Sequence, residues 1–143
     1  MKTESTWLLF ALGSAFFAGA TAILAKVGVA GIDSNLATFY RTCVVLVFAG
    51  LLVTVRGGWT GLESVATRTW VFLGLSGLAT AASWLCYFRA LQLAPASRVA
   101  PIDKLSVVIA IVLGVLVLGE PVNARFVIGA SLVIAGIFVI AGA

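Results

Sequence analysis

Apolar residues run along this chain in long unbroken stretches, and polar residues gather in short clusters between them. Five windows stand out. The first runs from Trp7 to Gly28, with no charge before Lys26. The second, Leu36 to Val55, carries Arg41 near its start. The third, Thr69 to Leu91, carries Arg89 near its end. The fourth, Val99 to Leu118, holds Asp103 and Lys104 in its first turns. The fifth, Phe126 to Ala143, has no charge. A helix of about 20 apolar residues, rising about 1.5 Å each, crosses a hydrocarbon core about 30 Å thick. Each window therefore predicts a spanning helix. A barrel strand would instead alternate apolar and polar positions over about ten residues.

The clusters between windows read as turns. Gly31-Ile32-Asp33-Ser34-Asn35 is a break, and Ser34 or Asn35 is placed to cap the second helix. Arg56-Gly57-Gly58 ends the second span, and the polar stretch Trp59 to Arg68 suits the interface. Ala94-Pro95-Ala96-Ser97 separates spans three and four, and Gly119-Glu120-Pro121 ends span four. Pro101 either starts the fourth helix or kinks it. Trp7, Trp59 and Trp70 fall near membrane surfaces, where indole rings prefer to sit. Lys2 and the small residues Ala18-Gly19-Ala20 resemble a signal peptide, but the apolar run continues to Ala25, as a retained span does. Loops this short leave room for one five-helix domain, residues 1–143, with consecutive helices antiparallel.

Composition narrows the chemistry. Of the 143 residues, 62% are apolar and 10% charged. Soluble domains carry about 25% charged residues, so too little polar surface exists here to clothe a soluble fold. The absence of His removes His-based catalysis and His metal sites. Cys43 and Cys86 cannot complete a four-ligand zinc site, and read best as unpaired small apolar residues. No metal and no cofactor is expected. The net charge of +4 is a matter of membrane topology. No basic patch with interleaved aromatics points to nucleic acid.

Orientation stays open. Lys2, Arg56, Arg68 and Arg125 fall on the N-terminal side, and Lys26, Arg41, Arg89, Arg98 and Lys104 on the other. Four against five gives no decisive positive-inside bias. Two readings fit. In one, several of the second group are buried in the bundle and the N-terminus is cytoplasmic. In the other, copies insert both ways and pair antiparallel.

Polar residues inside the spans carry the candidate chemistry. Lys26, Arg41, Arg89, Asp103 and Lys104 all lie toward one membrane face, either ringing a cavity mouth or snorkelling to water. Asp103 is too short to snorkel far, and Arg41 or Arg89 is its expected partner. On the third span Ser76, Thr80, Ser83 and Tyr87 share one helical face, with Trp84 beside them. A hydroxyl stripe suits a solvated path, and it equally suits helix–helix hydrogen bonding. Ala11, Ser14, Ala18, Thr21, Ala25 and Gly28 make a small-residue stripe on the first span, with Ser14 and Thr21 as its polar members. Gly129 and Gly136 form a line on the fifth span suited to close packing or dimerisation.

Three stretches together resemble the EamA-type branch of the drug/metabolite transporter superfamily. They are AILAKVGVAGIDSNLATFYRT (residues 22–42), ALQLAPASRVAPIDKLS (90–106) and LGEPVNARFVIGASLVIAGI (118–137). The resemblance implies an all-α polytopic membrane protein, one five-helix unit of an inverted-repeat, ten-helix transporter. It implies pairing, with itself as an antiparallel homodimer or with a paralogous half-transporter, and residence in a bacterial or archaeal cytoplasmic membrane. It also implies that spans one, three and four line the path and that the last span packs units together. Related small multidrug transporters carry an acid in the middle of the first span, and this chain has none between Trp7 and Ala25. The basic cluster instead favours anionic or zwitterionic solutes.

The leading expectation is a secondary transporter of a small metabolite, working as a dimer by alternating access. Ser14, Thr21, Ser76, Thr80, Ser83, Trp84 and Tyr87 would line its pathway, with Arg41, Arg89, Asp103 and Lys104 at its mouth. The alternative is a non-transporting accessory subunit of a larger membrane complex. The residues give little to an intramembrane enzyme.

Overall fold

Each of the five windows is helical in the structure, a computed structural model that describes residues 3–142. The helices are α1 (Thr3–Gly28), α2 (Ser34–Val55), α3 (Thr67–Leu93), α4 (Ala96–Asp103), α5 (Leu105–Leu118) and α6 (Ala124–Ala141), with a short 3₁₀ turn at Leu62–Ser64. Spans one, two, three and five are single helices, and α4 with α5 makes the fourth, Ala96–Leu118. There is no strand among the described residues. The protein is all-α, with five helical spans long and apolar enough to cross a membrane.

Helix ends follow local chemistry. The cap of α2 is Asp33, one residue before the two expected candidates. Its carboxylate accepts from the backbone N–H groups of Asn35 (2.9 Å) and Leu36 (3.1 Å). Ser34 is already helical, and its carbonyl instead accepts from the Thr38 hydroxyl at 2.8 Å. A carboxylate there also meets the positive end of the helix dipole. Asp33→Ala is expected to cost about 1 kcal/mol, read as a lowered midpoint of thermal unfolding in detergent, with Asp33→Asn close to wild type. At the far end of α2, the chain turns at Gly57 (φ 64°), as expected, and the Trp59 indole donates to the Thr54 hydroxyl at 3.0 Å. Asn123 caps α6 by accepting from the Phe126 N–H at 2.9 Å.

The fourth span starts earlier than its apolar window, at Ala96, so Ser97 and Arg98 are helical. Pro101 neither opens this helix nor ends it; it lies inside α4. Lacking an N–H, it leaves out the rung to the Ser97 carbonyl. Just beyond, the ladder tightens to three-residue bonds: Lys104 N–H to the Pro101 carbonyl and Val107 N–H to the Lys104 carbonyl, each 3.0 Å. That tightening separates α4 from α5. The span closes at Gly119 (φ 68°), and the Glu120 N–H bonds the Gly114 carbonyl at 3.2 Å. The Glu120 side chain folds back over Gly114, so close that a Cβ there would come within 2.7 Å of Oε2.

The chain resolves into two compact units. One is Ala25–Leu93, in which α2 packs on α3. Small residues on one face of α2 (Ser34, Ala37, Thr38) are buried there, as are Phe88 and Leu91 on α3. Small side chains let helices approach, which matters where lipid is as apolar as a leucine and burial alone drives little association. The other unit comprises residues up to Leu24 and from Ala94 onward, where α6 packs on α4 and α5 and buries Val99 and Ile137.

Candidate functional site

The α2–α3 packing face carries a charge into the span. Ser34, Ala37, Thr38 and Arg41 recur at helical spacing, so the face that begins with small residues ends at a guanidinium. Arg41 is the eighth residue of α2, about 10 Å along its axis at about 1.5 Å per residue. Its guanidinium lies 4.2 Å from the centre of the Trp84 ring and 5.5 Å from that of Phe88. Trp84, Phe88 and Leu91 form the i, i+4, i+7 ridge of α3 that meets α2. The hydroxyl stripe borders this ridge on the same helix. Aromatic faces attract cations most strongly where water is excluded, so the rings hold Arg41 without cancelling its charge.

Asp103 and Arg89 each have a partner within their own unit. Asp103 pairs with its neighbour Lys104 at 3.3 Å. Arg89 Nη1 donates to Gln92 Oε1 at 3.0 Å. Each contact lies within one or three residues along the chain, where little entropy is lost in forming it. Lys26, expected either at a cavity mouth or snorkelling to water, donates its Nζ to the Leu91 carbonyl. A cation on one of the last carbonyls of a helix satisfies a group that the helix cannot, and suits its dipole.

Ser76, Thr80, Ser83, Trp84 and Tyr87 all lie on α3. Ser76, Thr80 and Ser83 are exposed on α3, and Trp84 and Tyr87 are half-buried. The Thr80 hydroxyl donates to the Ser76 carbonyl of its own helix at 2.9 Å, leaving its oxygen as an acceptor. On α1, Ser14 is exposed and Thr21 half-buried, seven residues apart on one face. These two belong to the other unit. Gly129 and Gly136 are exposed on α6 with open space around them. Cys43 and Cys86 are unpaired thiols, exposed rather than buried.

Two participants have no signature in the sequence. Phe88 reads as one more apolar residue, yet it is the second ring beneath Arg41. Gln92 donates through Nε2 to the Ile32 carbonyl at 2.7 Å and to the Val29 carbonyl at 3.5 Å, across some sixty residues of chain. Only the three-dimensional approach of the α1–α2 turn to the end of α3 reveals it.

These features sit in a recognisable type of protein, a multi-pass helical membrane transporter. The chain belongs to the EamA-like transporter family, whose pattern matches residues 5–142. It is 50% identical over 138 residues to a Sinorhizobium sp protein described as an uncharacterized transporter in the cobO 3′ region. That alignment covers 96% of this chain and 98% of the relative, so the two are of similar length. No solved structure matches.

Proposed function

We propose that the chain is a secondary transporter or half-transporter of a small anionic or zwitterionic solute, such as an amino acid. The supporting observation is Arg41. It is a charge inside a span, held by two aromatic rings, with no carboxylate ion-paired to it among the described residues. Intramembrane charges are costly and face protein or water; one left without a counter-ion is suited to a counter-ion that arrives with the solute. Ser76, Thr80, Ser83 and Tyr87 then offer hydroxyls along the same helix, and Ser14 and Thr21 the small polar face of α1. Asp103 and Lys104, already paired, form a neutral rim. The path is completed by a second unit of inverted orientation, a common transporter plan, with α6 and its Gly129 and Gly136 line as the packing helix. That second unit is another copy or a paralogous half.

Counterflow into vesicles reconstituted with the pure chain, using a panel of anionic, zwitterionic, neutral and cationic solutes, tests the reading. Anionic or zwitterionic solutes are expected to exchange. Movement of cations alone would overturn the charge assignment; movement of none of them means either that a paralogous half is required or that the chain is an accessory subunit, and adding the candidate partner to the vesicles separates the two. Paired C-terminal reporters, one active only in the cytoplasm and one only outside it, separate the two partners. Both signals together support an antiparallel homodimer, and one alone calls for an oppositely oriented partner chain or a parallel assembly.

A further inference from the structure

Beside the Arg41 site, and nearer the membrane surface, lies a cavity of about 460 Å³. That volume is in the range of small-ligand pockets, about 300–1,000 Å³. Lys26, Val29, Gly31, Arg89, Leu91 and Gln92 contribute to its walls. Two of the lining residues are cations and none is an acid. The acid nearest in sequence, Asp33, has its carboxylate turned onto the start of α2. The cavity therefore presents positive charge, polar amide and apolar wall together.

Its depth follows from helix length. α3 has 27 residues, about 40 Å at about 1.5 Å per residue. That matches the hydrocarbon core plus both headgroup layers, about 40–45 Å, and leaves roughly 6 Å for each layer. Arg89 is four residues from the end of α3, about 6 Å along the axis, which is headgroup depth for a helix that spans both layers. Lys26 reaches the same level through its bond to the Leu91 carbonyl.

The cations are also positioned. Arg89 spends one N–H on Gln92 Oε1, and a guanidinium carries five, in a planar fork that fits phosphate oxygens two at a time. Gln92 is fixed in turn by the carbonyls of Ile32 and Val29. The apolar walls, Val29 and Leu91, suit a ligand with an attached acyl region rather than a bare ion. Basic pockets between spans at headgroup depth are general recognition sites for anionic lipid headgroups.

We propose that this cavity binds a phosphate-class oxyanion between Lys26 and Arg89, supplied by the phosphodiester headgroup of an anionic phospholipid. The proposal stands whether or not the solute path carries anions.

The test is native mass spectrometry of the full chain in detergent, offered dioleoyl phosphatidylglycerol, dioleoyl phosphatidylcholine or inorganic phosphate. Two surface cations are expected to favour the anionic lipid by about 30-fold. Arg89→Gln should cut that preference to about fivefold, and Lys26→Met with Arg89→Gln should remove it. Arg68→Gln, a cation at the opposite end of α3 that stacks on Phe72, should leave it unchanged. If the double variant does not fold, Arg89→Gln alone decides, with helix content checked by circular dichroism. Phosphate adducts without lipid preference, lost in Arg89→Gln, would keep the oxyanion site and overturn the lipid as its source. Equal retention of both lipids with no phosphate adduct, or a preference untouched by Arg89→Gln, would overturn the proposal.

Discussion

Arg41→Met is expected to lower the exchange of an anionic solute by about 100-fold or more while leaving the folded protein intact. Removing one partner of a desolvated charge pair costs about 2–5 kcal/mol, and about 2.8 kcal/mol is a hundredfold. Methionine keeps an unbranched stem that can lie against Trp84 and Phe88, so the contact between α2 and α3 keeps most of its packing. It removes the charge, the N–H donors and the cation–π contact. Arg41→Lys separates charge from shape. Lysine keeps the positive head but loses the plane that stacks on indole and the fork that grips a carboxylate. It should fall between the two, at about tenfold below wild type. Trp84→Ala should behave like the lysine variant, because it frees the guanidinium from its fixed position without removing it. Exchange rates at several solute concentrations, with thermal midpoints as the control for folding, distinguish these outcomes. Wild-type exchange in Arg41→Met would remove Arg41 from the solute path.

What the sequence discloses here depends on how far apart the interacting residues are. The spans are legible because each is a single run of side chains chosen by one solvent, and their ends agree with the structure within about three residues, as helix boundaries commonly do. Gly119 and the Gly57 turn are legible for the same local reason. The cap of α2 is displaced by one residue because Asp33 and Ser34 are both good caps, and only the backbone dihedrals decide between them. The break at Lys104 follows from Pro101, whose missing N–H is visible in the sequence, but where the ladder recovers is not. Side-chain partners across helices are a different matter. Arg41 and Trp84 were each legible as candidates, yet their stacking depends on the register of α2 on α3, set by Ser34, Ala37 and Thr38. The Asp103–Lys104 contact, between chain neighbours, was open to a reading of the sequence, whereas the Gln92 bonds to the Ile32 and Val29 carbonyls were not.

Gln92→Leu should destabilise the Ala25–Leu93 unit by about 2 kcal/mol, although leucine is the more apolar residue for a span. On a water-exposed surface such a change is often harmless, since the groups left behind can bond water. Here the amide serves three groups: the carbonyls of Ile32 and Val29 and the guanidinium of Arg89. Val29 is 2% exposed, so its carbonyl has little recourse to solvent, and a buried acceptor left without a donor costs about 1–3 kcal/mol. Ile32 is exposed and recovers part of its loss from headgroup water. Leucine adds little in exchange, because lipid already solvates apolar side chains as well as protein does. Gln92→Glu sharpens the comparison. It keeps an acceptor for Arg89, with a stronger charge-assisted bond, but points an oxygen at the two carbonyls where a donor is needed. If the turn carbonyls carry the stability, Gln92→Glu should be destabilised much as Gln92→Leu is. If the Arg89 contact carries it, Gln92→Glu should equal or exceed wild type. Hydrogen exchange at the backbone amides of residues 29–37, compared with those of α6 in the other unit, would show whether the loosening stays where the amide acts. Slower protection loss in α6 than in the α1–α2 turn is the expected pattern, because the groups that lose their donor all lie in the turn that Gln92 ties to the end of α3.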